Sequence, residues 1–272
     1  MAIDRIIAGP MTHISNNVGN LLIDAGNDRL YVANGTSILV FNNAGTSEGN
    51  ISPARTITSP QFGNISSLFL DATNNILYAG DDLNGIWIID NANSVNGSIT
   101  PTRSITGNFT ATYGGSFSIN SLYVDTVRDL LYVSVRIFAT GGGTSILVFN
   151  NARTANGSGL TPARTIHPSA YAGTIFLDAA NDRLYLADPS AYTVRAFDSI
   201  STADGSVASN RTISMGISPA GLTVDIASNR LYVLNPSAVF IINNADIADG
   251  SVPMTAVLAP SNSILTAITV RQ

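Results

Sequence analysis

Two histidines carry the side-chain type in this chain that is best suited to metal ligation or proton transfer. His13 and His167 are its only histidines, and imidazole serves both roles near neutral pH. The chain has no cysteine and no lysine, and its single glutamate is Glu48. A carboxylate partner would therefore be an aspartate, for which the candidates are Asp81, Asp82 and Asp188. This small acid–base set favours solvated or loop-capping roles for both histidines over an active site.

Aromatic residues in two glycine-rich connections form a second group of candidate functional residues. The connections read "TGNFTATYGGSFSIN" and "VRIFATGGGTS". Their aromatic members are Phe109, Tyr113, Phe117 and Phe138. Aromatic rings beside flexible glycines are typical of an adaptable apolar contact surface, so we predict a ligand or partner site there. The alternative is that the rings only cover the sheet edge beneath them.

The elements that must position these residues come from a repeat. Five apolar runs read "LLID", "LFLD", "LYVD", "IFLD" and "LTVD". They end at Asp24, Asp71, Asp125, Asp178 and Asp225. A recurrence of roughly 50 residues with several strand-like runs, and without helical apolar spacing, predicts an all-β fold. We expect a β-propeller with one four-stranded blade per repeat, forming a single domain over residues 1–272.

Each repeat contains four predicted strands, named a to d from the central axis outward. In the second repeat they read "SSLFLD", "NILYAG", "GIWIID" and "PTRSIT". The d–a and b–c connections then share one side of the ring, called here the loop face, where both long connections and both histidines fall. The repeated aspartates are expected to cap the a–b turns on the opposite side. Trp87, in strand c, is expected in the core.

Three motifs recur along nearly the whole chain: "D-x-x-x-D-R-L-Y-V-A", "I-x-V-F-x-N" and "P-x-R-T-I". Through them the chain resembles the NHL and YVTN group of β-propellers. The resemblance implies the propeller fold, but that group includes enzymes, binding modules and cell-surface proteins. The fifth repeat departs from the pattern, because Thr255 stands where the others have Arg55, Arg103, Arg164 and Arg211. We therefore expect the fifth blade to be closed or paired differently.

The two ends of the chain read as incomplete repeats. "AIDRIIAGP" resembles an outer strand with no preceding b and c strands, and "ILTAITVRQ" resembles an inner strand with nothing after it. Because unpaired strand edges are a liability, we expect Ile3–Ala8 to pair antiparallel with Leu265–Val270. This would give five complete blades and a short sixth sector. The alternative is a five-bladed ring whose end strands pack elsewhere or swap into a neighbouring molecule.

The composition and the motifs of the chain limit which binding partners and cofactors can be expected. A net charge of −5 and a pI near 4.8 supply no basic surface for nucleic acid. No apolar run is long enough to span a bilayer, and no phosphate-binding or EF-hand calcium loop predicts a cofactor. The first residues, "MAIDRIIAGP", do not resemble a signal peptide. A lysine-free surface rich in Asn and Thr nevertheless favours an extracellular or cell-surface location.

Three classes of function are open at this point, and the oligomeric state is open with them. The favoured one is a non-catalytic binding or scaffold module that presents the loop face to a protein, small-molecule or glycan partner. The second is a metal-dependent lyase or lactonase that uses His13, His167 and an aspartate. The third is a structural surface or filament protein that assembles by terminal-strand addition.

The first residues of the predicted inner strands favour binding over catalysis. These residues are Asn20, Ser66, Asn120, Thr174 and Gly221. Their hydroxyl and amide groups can bind a sugar or a hydrated cation, but they cannot act as strong bases.

Overall fold

The computed structural model describes residues 5–82, 84–107, 116–138, 143–258 and 267–270. It forms five small sheets arranged in a ring, which is a five-bladed β-propeller with an all-β composition. In these ranges the helical content is limited to two short 3-10 segments, Pro10–Thr12 and Ile200–Thr202. Within the described ranges, no helix is long and apolar enough to cross a membrane. The predicted fold class is therefore confirmed.

Each blade is an antiparallel sheet of the four predicted strands. Blades 1 to 4 also gain a two-residue strand from the following repeat. The sheet of blade 1 contains β1 (Val18–Asp24), β2 (Arg29–Asn34), β3 (Ser37–Asn42), β4 (Arg55–Thr58) and β8 (Gly97–Ser98). That of blade 2 contains β5 (Ile65–Asp71), β6 (Ile76–Asp81), β7 (Gly85–Asp90), β9 (Arg103–Thr106) and β13 (Gly157–Ser158).

The remaining blades follow the same order. The sheet of blade 3 contains β10 (Ser116–Asp125), β11 (Leu130–Phe138), β12 (Thr144–Asn150), β14 (Arg164–His167) and β18 (Gly205–Ser206). That of blade 4 contains β15 (Ile175–Asp178), β16 (Arg183–Asp188), β17 (Thr193–Asp198), β19 (Arg211–Ser214) and β23 (Gly250–Ser251). That of blade 5 contains β20 (Gly221–Asp225), β21 (Arg230–Asn235), β22 (Ala238–Asn243) and β24 (Thr255–Leu258).

The hydrophobic core is divided into layers between neighbouring blades. Tyr78 of blade 2 and Val133 of blade 3 lie in one such layer, and equivalent layers join blades 1 and 2, 3 and 4, and 4 and 5. The middle strands are covered on both faces, which explains why they read as continuous apolar runs rather than alternating ones. Trp87 lies in the layer between blades 1 and 2, as expected.

The repeated aspartates cap the a–b turns, as the sequence predicts. Asp24 accepts hydrogen bonds from the backbone N–H and the side-chain amide of Asn27, at 3.1 and 2.8 Å. Asp71 and Asp178 repeat this geometry with the asparagines three residues further on. Local hydrogen bonds of this kind stabilise tight turns. These carboxylates are therefore structural.

Neighbouring blades are joined by an inter-blade staple. The two-residue strands β8, β13, β18 and β23 each pair in parallel with strand d of the preceding blade. The residue before each Gly-Ser pair accepts a hydrogen bond from that strand. The bonds run from Thr56 N to Asn96, from Ser104 N to Asn156, from Thr165 N to Asp204, and from Thr212 N to Asp249, with lengths of 2.8–3.0 Å. The glycine that follows has a positive φ in each case, for example 76° at Gly97, as its place in the turn requires.

The fifth blade differs from the others, as the missing arginine predicts. The pairing of β24 with β22 contains a register shift between Val239 and Phe240. In the described part of the chain, no two-residue strand is added to β24. Val257 is only half-buried there, whereas the equivalent Ile57 of blade 1 is fully buried.

The end segments pack against blades 1 and 5. Ile7 forms a parallel bridge with Gly49, so the segment before blade 1 takes the place that strand d of a preceding blade would occupy. At the other end, Ile268 lies beside Gly221 of β20. The expected pairing of Ile3–Ala8 with Leu265–Val270 lies partly outside the described residues. Among those described, the two end segments form no bridge with each other.

Candidate functional site

The five inner strands surround a central cavity of about 470 Å³. Residues 267–270 also line it, beside β20. The inner strands all start at the loop face, so the first residues of each strand line the end of the cavity that opens there. We call this end the cavity mouth, and its polar lining includes Asn64, Ser66, Asp82, Ser118, Asn120 and Thr174.

Several polar groups near the mouth hold the ring together. Three side chains of inner strands accept a hydrogen bond from the backbone of the next inner strand. These bonds run from Leu68 N to Asn20 Oδ1 at 3.2 Å, from Leu122 N to Ser67 Oγ at 3.0 Å, and from Ile175 N to Ser121 Oγ at 3.2 Å. Asn120 donates to the carbonyl of Ala172 at 2.7 Å, which leaves its own side-chain oxygen as an acceptor.

Asp82 contributes the only carboxylate among the described lining residues. The hydroxyl of Ser118 donates a hydrogen bond to its Oδ1. Its backbone N–H donates to the Asn64 carbonyl at 2.8 Å, and its own carbonyl accepts from Ile119 N at 3.0 Å. The carboxylate is thus held in place at the mouth, with Oδ2 left as an acceptor for other groups.

Arg136 supplies a cation beside the mouth. It lies directly opposite Ser118 in the β10–β11 ladder. Its guanidinium carbon lies 4.8 Å from the ring centroid of Phe138 and 5.6 Å from that of Tyr171. Cation–π contacts of this length orient the guanidinium group. Tyr171 lines the cavity and Arg136 does not, so the contact with Tyr171 places the cation next to the rim.

The opposite end of the cavity is aromatic. The rings of Phe69 and Tyr123 lie 4.7 Å apart between centroids, and those of Tyr123 and Phe176 lie 5.2 Å apart. Burial, aided by the negative charge of Asp178, raises the pKa of the Tyr123 hydroxyl, which stays protonated at neutral pH. The cavity therefore changes from polar at the mouth to aromatic at its far end.

The predicted aromatic contact residues have different environments. Phe109 and Tyr113 lie outside the described residues. Phe117 is buried in the layer between blades 2 and 3, which matches the covering role considered for it. Phe138 is 51% exposed and packs against Arg136 on the loop face. Contact of Phe138 with a ligand stays a prediction.

The two histidines lie apart from the cavity lining. His13 is exposed, and its backbone carbonyl accepts a hydrogen bond from Asn34 at 3.1 Å. His167 is half-buried at the end of β14, with Nδ1 3.1 Å from the Ser145 hydroxyl. Neither residue is among those that line the cavity.

The other candidate carboxylates have structural partners. Asp81 is fully buried and accepts hydrogen bonds from Gly63 N at 2.6 Å and Trp87 Nε1 at 2.9 Å. Asp188 accepts backbone N–H groups of the turn that follows it and pairs with Arg195 at 3.3 Å. In the part of the chain that the structure describes, no three His, Cys, Asp or Glu residues cluster as metal ligands would.

Sequence reasoning did not single out Arg136 or Tyr171. Arg136 lies in the long b–c segment of blade 3, two residues before Phe138. Its contact with that aromatic ring could therefore have been predicted from the sequence. Tyr171 is 35 residues away along the chain and meets Arg136 only because β11 and the d–a segment before blade 4 share one end of the ring.

Comparison with known proteins identifies no family for this chain. No protein-family model matches it, and no curated protein shows significant similarity to it. The structure establishes a five-bladed β-propeller.

Proposed function

We propose that this protein is a non-catalytic ligand-binding propeller of the NHL or YVTN repeat type. Its ligand is a small polar molecule, a glycan in the first instance, that enters the central cavity from the loop face. The observation that carries the proposal is the cavity itself, which is polar at the mouth and aromatic at the far end. Its expected place of action is outside the cytoplasm, as the composition suggests.

The size and lining of the cavity support this function. Small-molecule sites measure about 300–1,000 Å³ and combine apolar walls with a few fixed polar groups. The cavity, at about 470 Å³, falls within that range. Asp82 is held by Ser118 and by its own backbone, so its orientation is set before a ligand arrives. Pre-ordered groups reduce the entropy cost of binding.

The chemistry of the lining favours binding over turnover. Apart from the carboxylate of Asp82 and the guanidinium group of Arg136 beside the rim, the polar groups of the mouth are hydroxyls, amides and backbone groups. Such groups donate and accept hydrogen bonds but are poor proton acceptors near neutral pH. Both histidines lie away from the cavity lining.

Blocking the cavity tests the proposal. Thr174 lines the mouth, and Thr174→Trp places a bulky ring there. Thr154→Trp is the matched control, because Thr154 is exposed in a c–d turn on the opposite side of the ring. We would screen a panel of saccharides and other small polar molecules by melting temperature. A ligand at 100 times its Kd adds about 2.7 kcal/mol of stability, which is a shift of several degrees.

The expected result is a ligand that raises the melting temperature of the parent and of Thr154→Trp, but not that of Thr174→Trp. Two outcomes would contradict the proposal. One is a panel without any stabilising ligand, and the other is a ligand that stabilises all three proteins equally.

A further inference from the structure

We infer that the cavity mouth is built for a carboxylate-bearing saccharide, with Arg136 binding the carboxylate and Asp82 accepting hydrogen bonds from sugar hydroxyls. This inference rests on the proposed function and names its ligand class. Four residues carry it: Arg136, Tyr171, Asp82 and Ser118.

Arg136 is an oriented cation whose donors are available. Its guanidinium group packs against the rings of Phe138 and Tyr171, and the side chain is exposed to solvent. The guanidinium group has no hydrogen bond or ion pair with any residue that the structure describes. The N–H groups of the guanidinium are therefore available to a ligand, and the planar fork that they form matches a carboxylate in bidentate fashion.

Most other arginines of the ring are already engaged. Arg103 and Arg211 form two hydrogen bonds each with an aspartate of the neighbouring strand. Arg55 and Arg164 donate to backbone carbonyls of the next blade. These arginines serve the architecture, whereas Arg136 adds little to it besides its contacts with two aromatic rings. Its placement at the rim therefore points to a ligand.

The negative charge of Asp82 at the mouth is not neutralised by Arg136. Asp82 is bonded to Ser118, and no ion pair joins it to Arg136 within the described residues. The mouth thus offers a cation for one anionic group and a carboxylate for hydroxyl donors. Tyr171 supplies an aromatic ring at the rim, on which the apolar face of a sugar can pack. This combination fits a polyhydroxylated acid better than a purely apolar or a purely cationic ligand.

The charge balance favours a monoanionic group. One arginine compensates one negative charge, and the nearby Asp82 would repel a phosphate dianion more strongly than a carboxylate. The net charge of −5 does not prevent binding, because charges beyond about 8 Å are largely screened at physiological salt. The affinity should still fall as salt is added, since the key contact is exposed.

The experiment compares matched sugars that differ only in the carboxyl group. The probes are uronic acid disaccharides and the same disaccharides with each carboxyl reduced to a primary alcohol, titrated by calorimetry. The parent should bind at least one uronic acid disaccharide about tenfold more tightly than its reduced partner, a difference of about 1.4 kcal/mol. Arg136→Gln should remove that difference.

Two further variants keep the test specific. Arg153→Gln is the matched control, because Arg153 pairs with Asp129 at 3.1 Å in the turns on the opposite side of the ring. It should retain the preference for the acid. Arg136→Lys keeps the charge without the planar fork and should retain only part of it. The melting temperature of each variant, measured without sugar, shows whether it is folded.

The outcomes separate this inference from the proposed function. Equal binding of acidic and reduced sugars would overturn the carboxylate assignment while leaving the cavity as a ligand site. A preference for the acid that survives Arg136→Gln would overturn the role of Arg136. Binding of neither sugar series would overturn the ligand class, and the broader cavity screen with Thr174→Trp would then decide the proposed function by itself.

Discussion

Removing a single hydroxyl between two inner strands should measurably weaken the ring. Ser121 of β10 is buried, and its Oγ accepts the backbone N–H of Ile175, the first residue of β15, at 3.2 Å. Ile175 is itself buried, at 3% exposure. In Ser121→Ala this N–H loses its side-chain partner between two buried residues.

The expected cost is that of a buried donor left unsatisfied, about 1–3 kcal/mol. For a chain of this size, each kcal/mol lowers the melting temperature by about 2–4 °C. We therefore expect the melting temperature of Ser121→Ala to fall by about 2–12 °C. Ser158→Ala removes the same hydroxyl from an exposed serine and should change stability by less than about 0.5 kcal/mol.

The measurements are urea and thermal unfolding, monitored by circular dichroism at several wavelengths. If Ser121→Ala and Ser158→Ala unfold with the same midpoint, the hydroxyl does not bind the inner strands together. The reasoning about the whole series of inner-strand bonds, including those at Ser67 and Asn20, would then fail.

Two other predictions concern the hydrogen bond at Asn96 between blades 1 and 2 and the ion pairs of Asp198 in blade 4. Asn96→Ala removes the acceptor of the hydrogen bond from Thr56 N and should lower the free energy of unfolding by about 0.5–1.5 kcal/mol. Asn96→Asp should be near neutral, because an aspartate, Asp204, accepts the equivalent hydrogen bond from Thr165 N. Equal urea midpoints for the two variants would contradict a stabilising role for this hydrogen bond in the inter-blade staple. Burial alone would raise the pKa of Asp198, but hydrogen bonds from Arg211 and Arg183 outweigh it and lower that pKa. This stabilisation is present above the ordinary pKa of aspartate and is lost as the pH falls towards the lowered folded value. Asp198→Asn should therefore be less stable than the parent at pH 7, and the difference should shrink below about pH 4. A pH-independent difference in urea midpoint would argue against the ion pairs.

The arginines of strand d show which features can be predicted from a local sequence motif and which cannot. Arg103 and Arg211 pair with Asp90 and Asp198 at the end of strand c in the same blade. In blades 1 and 3 that position holds asparagine, and Arg55 and Arg164 turn instead to carbonyl groups of the next blade. The motif predicts an arginine in strand d, but its partner depends on one residue more than ten positions away.

The strands, their order within a blade and the chemistry of the turns could all be predicted from the amino-acid sequence. Apolar runs, Asp-capped turns such as that at Asp24 and glycines such as Gly97 act over a few residues, so their effects are readable from the chain. It also indicated that the fifth blade would differ, since Thr255 breaks the motif.

The residues that meet at the cavity mouth and the packing of the chain ends could not be predicted in this way, because they depend on how the blades are arranged in space. Asp82 and Ser118 are 36 residues apart, and Arg136 and Tyr171 are 35 apart. They meet because successive blades twist and close around one axis, which brings equivalent strand ends together. Ile7 likewise forms a bridge with Gly49, in the place that strand d of a preceding blade would occupy. Contacts of this kind depend on the geometry of the whole ring, which no local pattern records.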